Sequence, residues 1–306
     1  MLAKAFWGAL GVAAGLMLTA PASAEPTKLA VGYVTASDFT PLFFAKEKGI
    51  FAKHDLDVEP KRIPIIVNIP AALVSGDLQI GAATMPLLLQ AVDGGLDMQL
   101  VSGGARHLRS ASKIGLMVRE GLKIEKPEDL KGKKIGVAGF NSTMDIFLRK
   151  WLRTKGLGDK DVIRVEANFP QMPDLLKAGT VDAVTITDPM RTIALKQGVG
   201  YVYAEYAAEL LPDVLMIGYI SNGDWARKNA KAIADFKASI DEATQYMMAH
   251  TDEIAPIEQK YLGFASPGMS NLSTAIKPDD LDPYIAMGKE LGLYKAALDP
   301  AKMIFK

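Results

Sequence analysis

Residues 69–86, IPAALVSGDLQIGAATMP, and residues 172–189, MPDLLKAGTVDAVTITDP, carry one pattern at a constant offset of 103 positions. Pro70 and Pro173 stand where the first turn of a helix tolerates a residue without an N–H. Ala71, Ala72, Leu73 and Val74 continue the helix in the first copy. Gly76 and Gly179 stand where a left-handed helix stop favours a residue without Cβ. Leu78, Ile80, Ala82 and Ala83 then read as a short buried strand, and Thr84-Met85-Pro86 turns into a new helix. Upstream, Leu29-Ala30-Val31-Gly32 is echoed by Lys134-Ile135-Gly136-Val137 as an opening strand. Two copies are too few for a solenoid. They fit two similar lobes with their strand ends facing each other, and the alternation of strand and helix patterns argues α/β.

The first 24 residues stand outside this scheme. They hold one basic residue, Lys4, then a mostly apolar run through Leu18, and end in Ala22-Ser23-Ala24. That is the form of a secretory signal peptide, with cleavage expected before Glu25. No other uninterrupted apolar run approaches the ~20 residues a bilayer needs. The chain has no cysteine; the remaining length buries enough core without disulfides. With no lipidated N-terminus available, the expected location is the Gram-negative periplasm. Basic and acidic residues balance at 35 each, and no basic stripe of the kind nucleic acid requires is present.

The expected lobes are 25–113 with 222–306, and 114–221, joined by hinge strands near 112–115 and 218–222. Helices are expected over 225–250, 253–261, 267–274 and 279–292. In open α/β sheets ligands bind beyond the carboxyl ends of the strands. Those ends supply the candidate binding residues: Ser37, Asp38 and Phe39; Thr84 and Met85; Arg106, with His107 beside it; and, in the second lobe, Asn141, Ser142, Thr143 and Asp188. A helix expected over 144–155 starts at Asn141-Ser142-Thr143, where free N–H groups and the helix dipole favour a negative group. Ser142-x-x-Asp145 also matches a plain capping box, and Asp188 before Pro189 also matches an N-cap. Both readings stand for each. Donors beside an acid suggest a polar or zwitterionic solute. The three histidines are far apart and lack metal-ligand spacing. There is no nucleophile elbow, P-loop or dinucleotide fingerprint, so no cofactor and no metal is expected.

Four segments carry a resemblance, in order: PLFFAKEKGIFAKHDLDVE, ALVSGDLQIGAA, PEDLKGKKIGVAGFNSTMDIFLRKWLRTKGLGDKDV and LLKAGTVDAVTITDP. Together they resemble the nitrate, sulfonate, taurine and thiamine-precursor (NMT1/THI5-like) solute-binding proteins of ABC transporters. The resemblance runs from about residue 28 to 203. It departs at Asp55, where a glycine is usual, and at Thr187-Asp188-Pro189, where many members carry an aromatic residue and Glu-Pro. It implies a two-lobed periplasmic-binding-protein fold of type II that closes on a small solute. Permease and ATPase partners and a monomeric state are implied with it, and no enzymatic activity. Two other readings remain open: an enzyme on this fold, of the pyrimidine-precursor synthase or menaquinone-pathway dehydratase kind, and a ligand-presenting sensory subunit.

Overall fold

The computed structural model describes residues 25–306 apart from 212 and 267. The expected signal peptide, residues 1–24, lies outside the described residues. Among the described residues ten strands form two five-stranded sheets. β1 (Thr27–Tyr33), β2 (Leu56–Arg62), β3 (Ile80–Thr84), β4 (Met98–His107) and β10 (Val214–Asn222) make the first, in the order β2-β1-β3-β10-β4. β5 (Gly115–Arg119), β6 (Lys134–Val137), β7 (Ile163–Glu166), β8 (Ala183–Ile186) and β9 (Gly200–Ala204) make the second, in the order β7-β6-β8-β5-β9. β1, β2 and β3 pair in parallel, as do β6, β7 and β8. The fourth slot of each sheet holds an antiparallel strand, β10 in one and β5 in the other.

The repeat takes the form its punctuation predicts. Helix Ile69–Ser75 stops at Gly76 with φ 84°, and β3 and helix Met85–Asp93 follow. In the second copy, helix Met172–Lys177 precedes Gly179 with φ 66°, then β8 and helix Met190–Lys196. The 3-10 turns before each copy, Ile66–Asn68 and Phe169–Gln171, keep the same offset.

Three expectations need correction. The run expected near 218–222 is not a hinge strand shared by the lobes. As β10 it pairs along its length with β3 and β4, so the return crossing precedes it, in the segment carrying helix Tyr206–Leu210. Its apolar character is that of a central strand covered on both faces. Residues 268–274 form no helix. They run extended beside β4, with Gly103 N–H donating to Thr274 O at 3.0 Å and Arg106 N–H to Asn271 O at 2.8 Å. Gly103 permits this approach, because a Cβ there would lie 2.5 Å from Ser273 O. The helix expected over 225–250 is two, Gly223–Lys228 and Ala230–Ala249, broken at Asn229.

The main core runs through both lobes. Phe147, on helix Thr143–Thr154 of the second lobe, stacks on Tyr284 of helix Asp282–Glu290 with centroids 5.8 Å apart. Tyr284 in turn donates to Leu215 O of β10 at 2.6 Å, which ties that helix to the first lobe. A smaller core of Met117, Met172, Leu176, Val184 and Ile186 fills the other side of the second sheet. Among the described residues no helix is long and apolar enough to cross a membrane.

Candidate functional site

The parallel strands of both sheets point their carboxyl ends at a shared cavity of about 130 Å³, room for several waters or one small organic molecule. The first lobe lines it with Thr35 and Asp38 after β1, Ile65 after β2, and Thr84 at the end of β3. The second lobe lines it with Ser142 and Thr143 after β6, Asn168 and Phe169 after β7, and Thr187 and Asp188 after β8.

Four side-chain oxygens in this lining are buried without a hydrogen-bond partner: Thr84 Oγ1, Ser142 Oγ, Thr143 Oγ1 and Asn168 Oδ1. Thr84, Ser142 and Thr143 are 7%, 5% and 1% exposed, so solvent does not serve them. Buried polar atoms in folded proteins nearly always have partners, and each orphan costs roughly 1–3 kcal/mol. Four such oxygens, contributed by both lobes, surround this one cavity.

The local geometry explains why Ser142 is left free. Helix Thr143–Thr154 starts after Ser142, whose backbone is extended at φ −67° and ψ 168° and whose hydroxyl makes no capping bond. The expected capping box does not form. Asp145 accepts from the backbone N–H of Asn141 at 2.7 Å and from Arg164 Nη1 at 2.8 and 2.6 Å. Asp145 is fully buried, and Arg164 offsets its charge, so the positive end of the helix is not cancelled by a bare carboxylate. Asn141 takes the left-handed conformation at φ 59°. Its Oδ1 accepts from Arg149 Nη1 at 3.0 Å, and its carbonyl accepts from Gln90 Nε2 of the first lobe at 3.1 Å.

Asp188 is held rather than free. Its Oδ1 accepts from Thr192 Oγ1 at 2.7 Å and from Thr192 N–H at 3.2 Å, and Lys113 Nζ lies 2.8 Å from Oδ2. Burial pushes its pKa up, but the bonds from Lys113 and Thr192 outweigh burial and leave the carboxyl below its ordinary value. Asp38 is the opposite case: burial raises its pKa, against weaker opposition from Ser270 and its own backbone, and Glu258 adds a like charge.

A second cavity of about 300 Å³ shares Asp38, Thr187, Asp188 and Met216 with the first and extends past Ser37, Arg106, His107, Lys113 and Ser270. His107 is buried, its Nε2 has no partner, and burial lowers its pKa.

Of the residues expected at the site, Asp38, Thr84, Ser142, Thr143 and Asp188 line the first cavity, and Ser37 and Arg106 line the second. Arg106 is no free cation, being paired through both guanidinium nitrogens with Asp280. Phe39 and Met85 lie outside both linings. Phe39 ends the 3-10 turn Ser37–Phe39 and Met85 opens helix Met85–Asp93, and both are fully buried in the core, Phe39 edge-on to Tyr219 at 5.9 Å. Asn141 stands behind the cavity wall as a scaffold. Arg62, Asn168, Phe169 and Met216 line the cavity and were not anticipated. The repeat carried a signal for two of them: Ile65 and Ile66 shift by 103 to Asn168 and Phe169. Among the described residues no group of three or more His, Cys, Asp or Glu is arranged to hold a metal.

Against known proteins, residues 36–254 match the family model described as NMT1/THI5 like. A Haemophilus influenzae protein whose name assigns it provisionally to thiamine biosynthesis is 30% identical over 253 residues, 78% of this chain and 74% of that protein. A nitrate/nitrite binding protein of Nostoc is 26% identical over 268 residues, 79% of this chain and 60% of its own longer length. The alkanesulfonate-binding protein of Xanthomonas axonopodis pv. citri superposes with a TM-score of 0.77 at 17% identity, covering 92% of this chain and 99% of that one. This last likeness is one of fold.

Proposed function

This chain belongs to the NMT1/THI5-like family, and on that premise we propose that it is the extracytoplasmic solute-binding component of an ABC-type importer. The solute is a small polar or zwitterionic organic molecule taken into the cavity between the lobes. The observation that carries this reading is the set of four buried, partnerless oxygens contributed by Thr84, Ser142, Thr143 and Asn168. A solute that satisfies oxygens on both lobes gains most when the lobes are closed around it, the differential affinity that hinge closure needs. The closed form is then what a permease and its ATPase receive, and the periplasm is where this happens. The relative from Nostoc supports binding over catalysis, being named for nitrate/nitrite binding, while the one from Haemophilus influenzae is named for thiamine biosynthesis. The cavity's polar lining is of the kind that recognises a polar solute: hydroxyls, an amide, Arg62, and the two acids Asp38 and Asp188.

A thermal-shift screen of the mature protein against nitrate, alkanesulfonates, amino sulfonates and aminopyrimidines tests this. A true solute at a hundredfold excess over its Kd adds about 2.7 kcal/mol to stability. For a chain of this size that is a rise of roughly 4–6 °C in Tm. Alanine at Ser142 or Thr84 should shrink the rise. A screen in which the best hit is unaffected by both substitutions would place binding elsewhere.

A further inference from the structure

Asp38 follows β1 and faces both cavities. Among the described residues no salt bridge engages its carboxylate; Ser270 and its own backbone hydrogen-bond it, and the charged neighbour that acts on it, Glu258, has the same sign. On the opposite wall Asp188 differs, because Lys113 stands 2.8 Å from it. The strand ends of the first lobe therefore present to the space a solute would fill one carboxylate with no ion-paired partner, alongside Arg62 at the end of β2. Tyr219 feels the same charge, its ionisation pushed up by burial and then by Asp38.

We propose that Asp38 determines specificity by pairing with a protonated amine of the solute, whose anionic end lies at the start of helix Thr143–Thr154 against the Ser142 and Thr143 hydroxyls. This rests on the solute-binding reading above. A carboxylate kept partly out of water without a counter-charge is costly. A ligand ammonium supplies that counter-charge through a charge-assisted hydrogen bond and displaces no protein cation in doing so. A bare oxyanion such as nitrate gains from the helix start but leaves Asp38 unpaired and faces its like charge. In the first turn of that helix the acid Asp145 is already matched by Arg164, and Glu166 accepts from the Phe140 N–H just before it. Ser142 and Thr143 are more than nine-tenths buried and have no other partner. The cleft thus offers one place for a cation and a separate one for an anion.

The test is calorimetric titration with taurine and with isethionate, which replaces the ammonium by a hydroxyl on the same two-carbon sulfonate; β-alanine, homotaurine and nitrate complete the set. The wild-type chain should bind at least one amino compound, and the amino member of the taurine–isethionate pair about tenfold or more tightly. Asp38→Asn should bring that ratio to within about threefold while keeping the unliganded melting temperature. Ser142→Ala should weaken both members and preserve the ratio. An unchanged ratio in Asp38→Asn overturns the proposal, as does wild-type binding of isethionate or nitrate as tight as that of the amines; either result leaves the importer reading standing. No binding by any of the amino compounds also overturns it. Should Asp38→Asn act as expected while Ser142→Ala changes nothing, the cation site stands and the assignment of the hydroxyls fails.

Discussion

At the scale of single residues, Thr84, Ser142 and Thr143 are placed against the stability of the empty protein. Each keeps a hydroxyl buried and partnerless, and removing such a group relieves a penalty instead of losing a bond. Ser142→Ala and Thr84→Val should therefore leave the unliganded protein as stable as before, or more stable by up to about 1 kcal/mol, while weakening solute binding. Chemical denaturation with and without solute separates the two effects; a clear loss of unliganded stability would mean that the hydroxyls have a structural partner. His107 makes a different prediction. Burial lowers its pKa, with Asp213 pulling weakly the other way, so the unfolded chain takes up the proton more readily than the folded one. Its contribution to stability is present above the ordinary histidine value of about 6.5 and is lost as pH falls from there toward the folded value. Urea titrations of wild type and His107→Gln between pH 7.5 and 5 should converge on the acid side, where the wild type alone pays for protonating a buried ring.

At the scale of elements, the repeat depends on backbone conformation as much as on side chains. Gly76 ends its helix at φ 84°, and an added Cβ there meets nothing within 4 Å. Gly76→Ala should cost only the left-handed penalty, about 1–2 kcal/mol. Gly218, in the middle of β10, is a case of space: a Cβ would lie 2.7 Å from Ser102 O of the neighbouring strand. Because a backbone atom in a paired strand cannot step aside cheaply, Gly218→Ala should destabilise more than Gly76→Ala. Equal losses in denaturant midpoint would show that the sheet yields there. The start of helix Thr143–Thr154 belongs to this scale too. Its entry is set by the left-handed turn at Asn141, held by Arg149 and by Gln90 from the facing lobe, so the hydroxyls it presents are aimed by both lobes together.

At the scale of the whole molecule, the main core does not stop at the lobe boundary. Phe43 and Phe51 of the first lobe and Phe147, Leu148 and Trp151 of the second belong to one buried cluster. Surface contacts on the same side reinforce it: Lys150 pairs with Glu290 at 2.6 Å, and Arg153 donates to the Glu290 carbonyl at 2.9 Å. Lobes that share a core should unfold together, so calorimetry of the unliganded protein should give a single transition. Two resolved transitions would show that the lobes are stabilised separately. Solute binding should move that one transition upward as a whole.

Much of this was legible in the residues because it is local. Proline at a first turn, glycine at a left-handed stop, and apolar spacing with a period of two or near 3.6 act within a few positions. The repeat, the two α/β lobes and the strand-end positions of Asp38, Thr84, Ser142 and Asp188 follow from such signals. What tertiary structure decided was where distant groups meet. The partners of β10 come from β3 and β4, more than a hundred positions earlier in the chain, so its own apolar run could not say which sheet it joins. The Ser142-x-x-Asp145 pattern is a cap by local rules, yet Arg164 and the Asn141 amide engage Asp145 while the serine hydroxyl stays open to the cavity. Periodicity and punctuation are properties of neighbours along the chain; a partner for a strand edge, a carboxylate or a hydroxyl exists only once the chain has folded back upon itself.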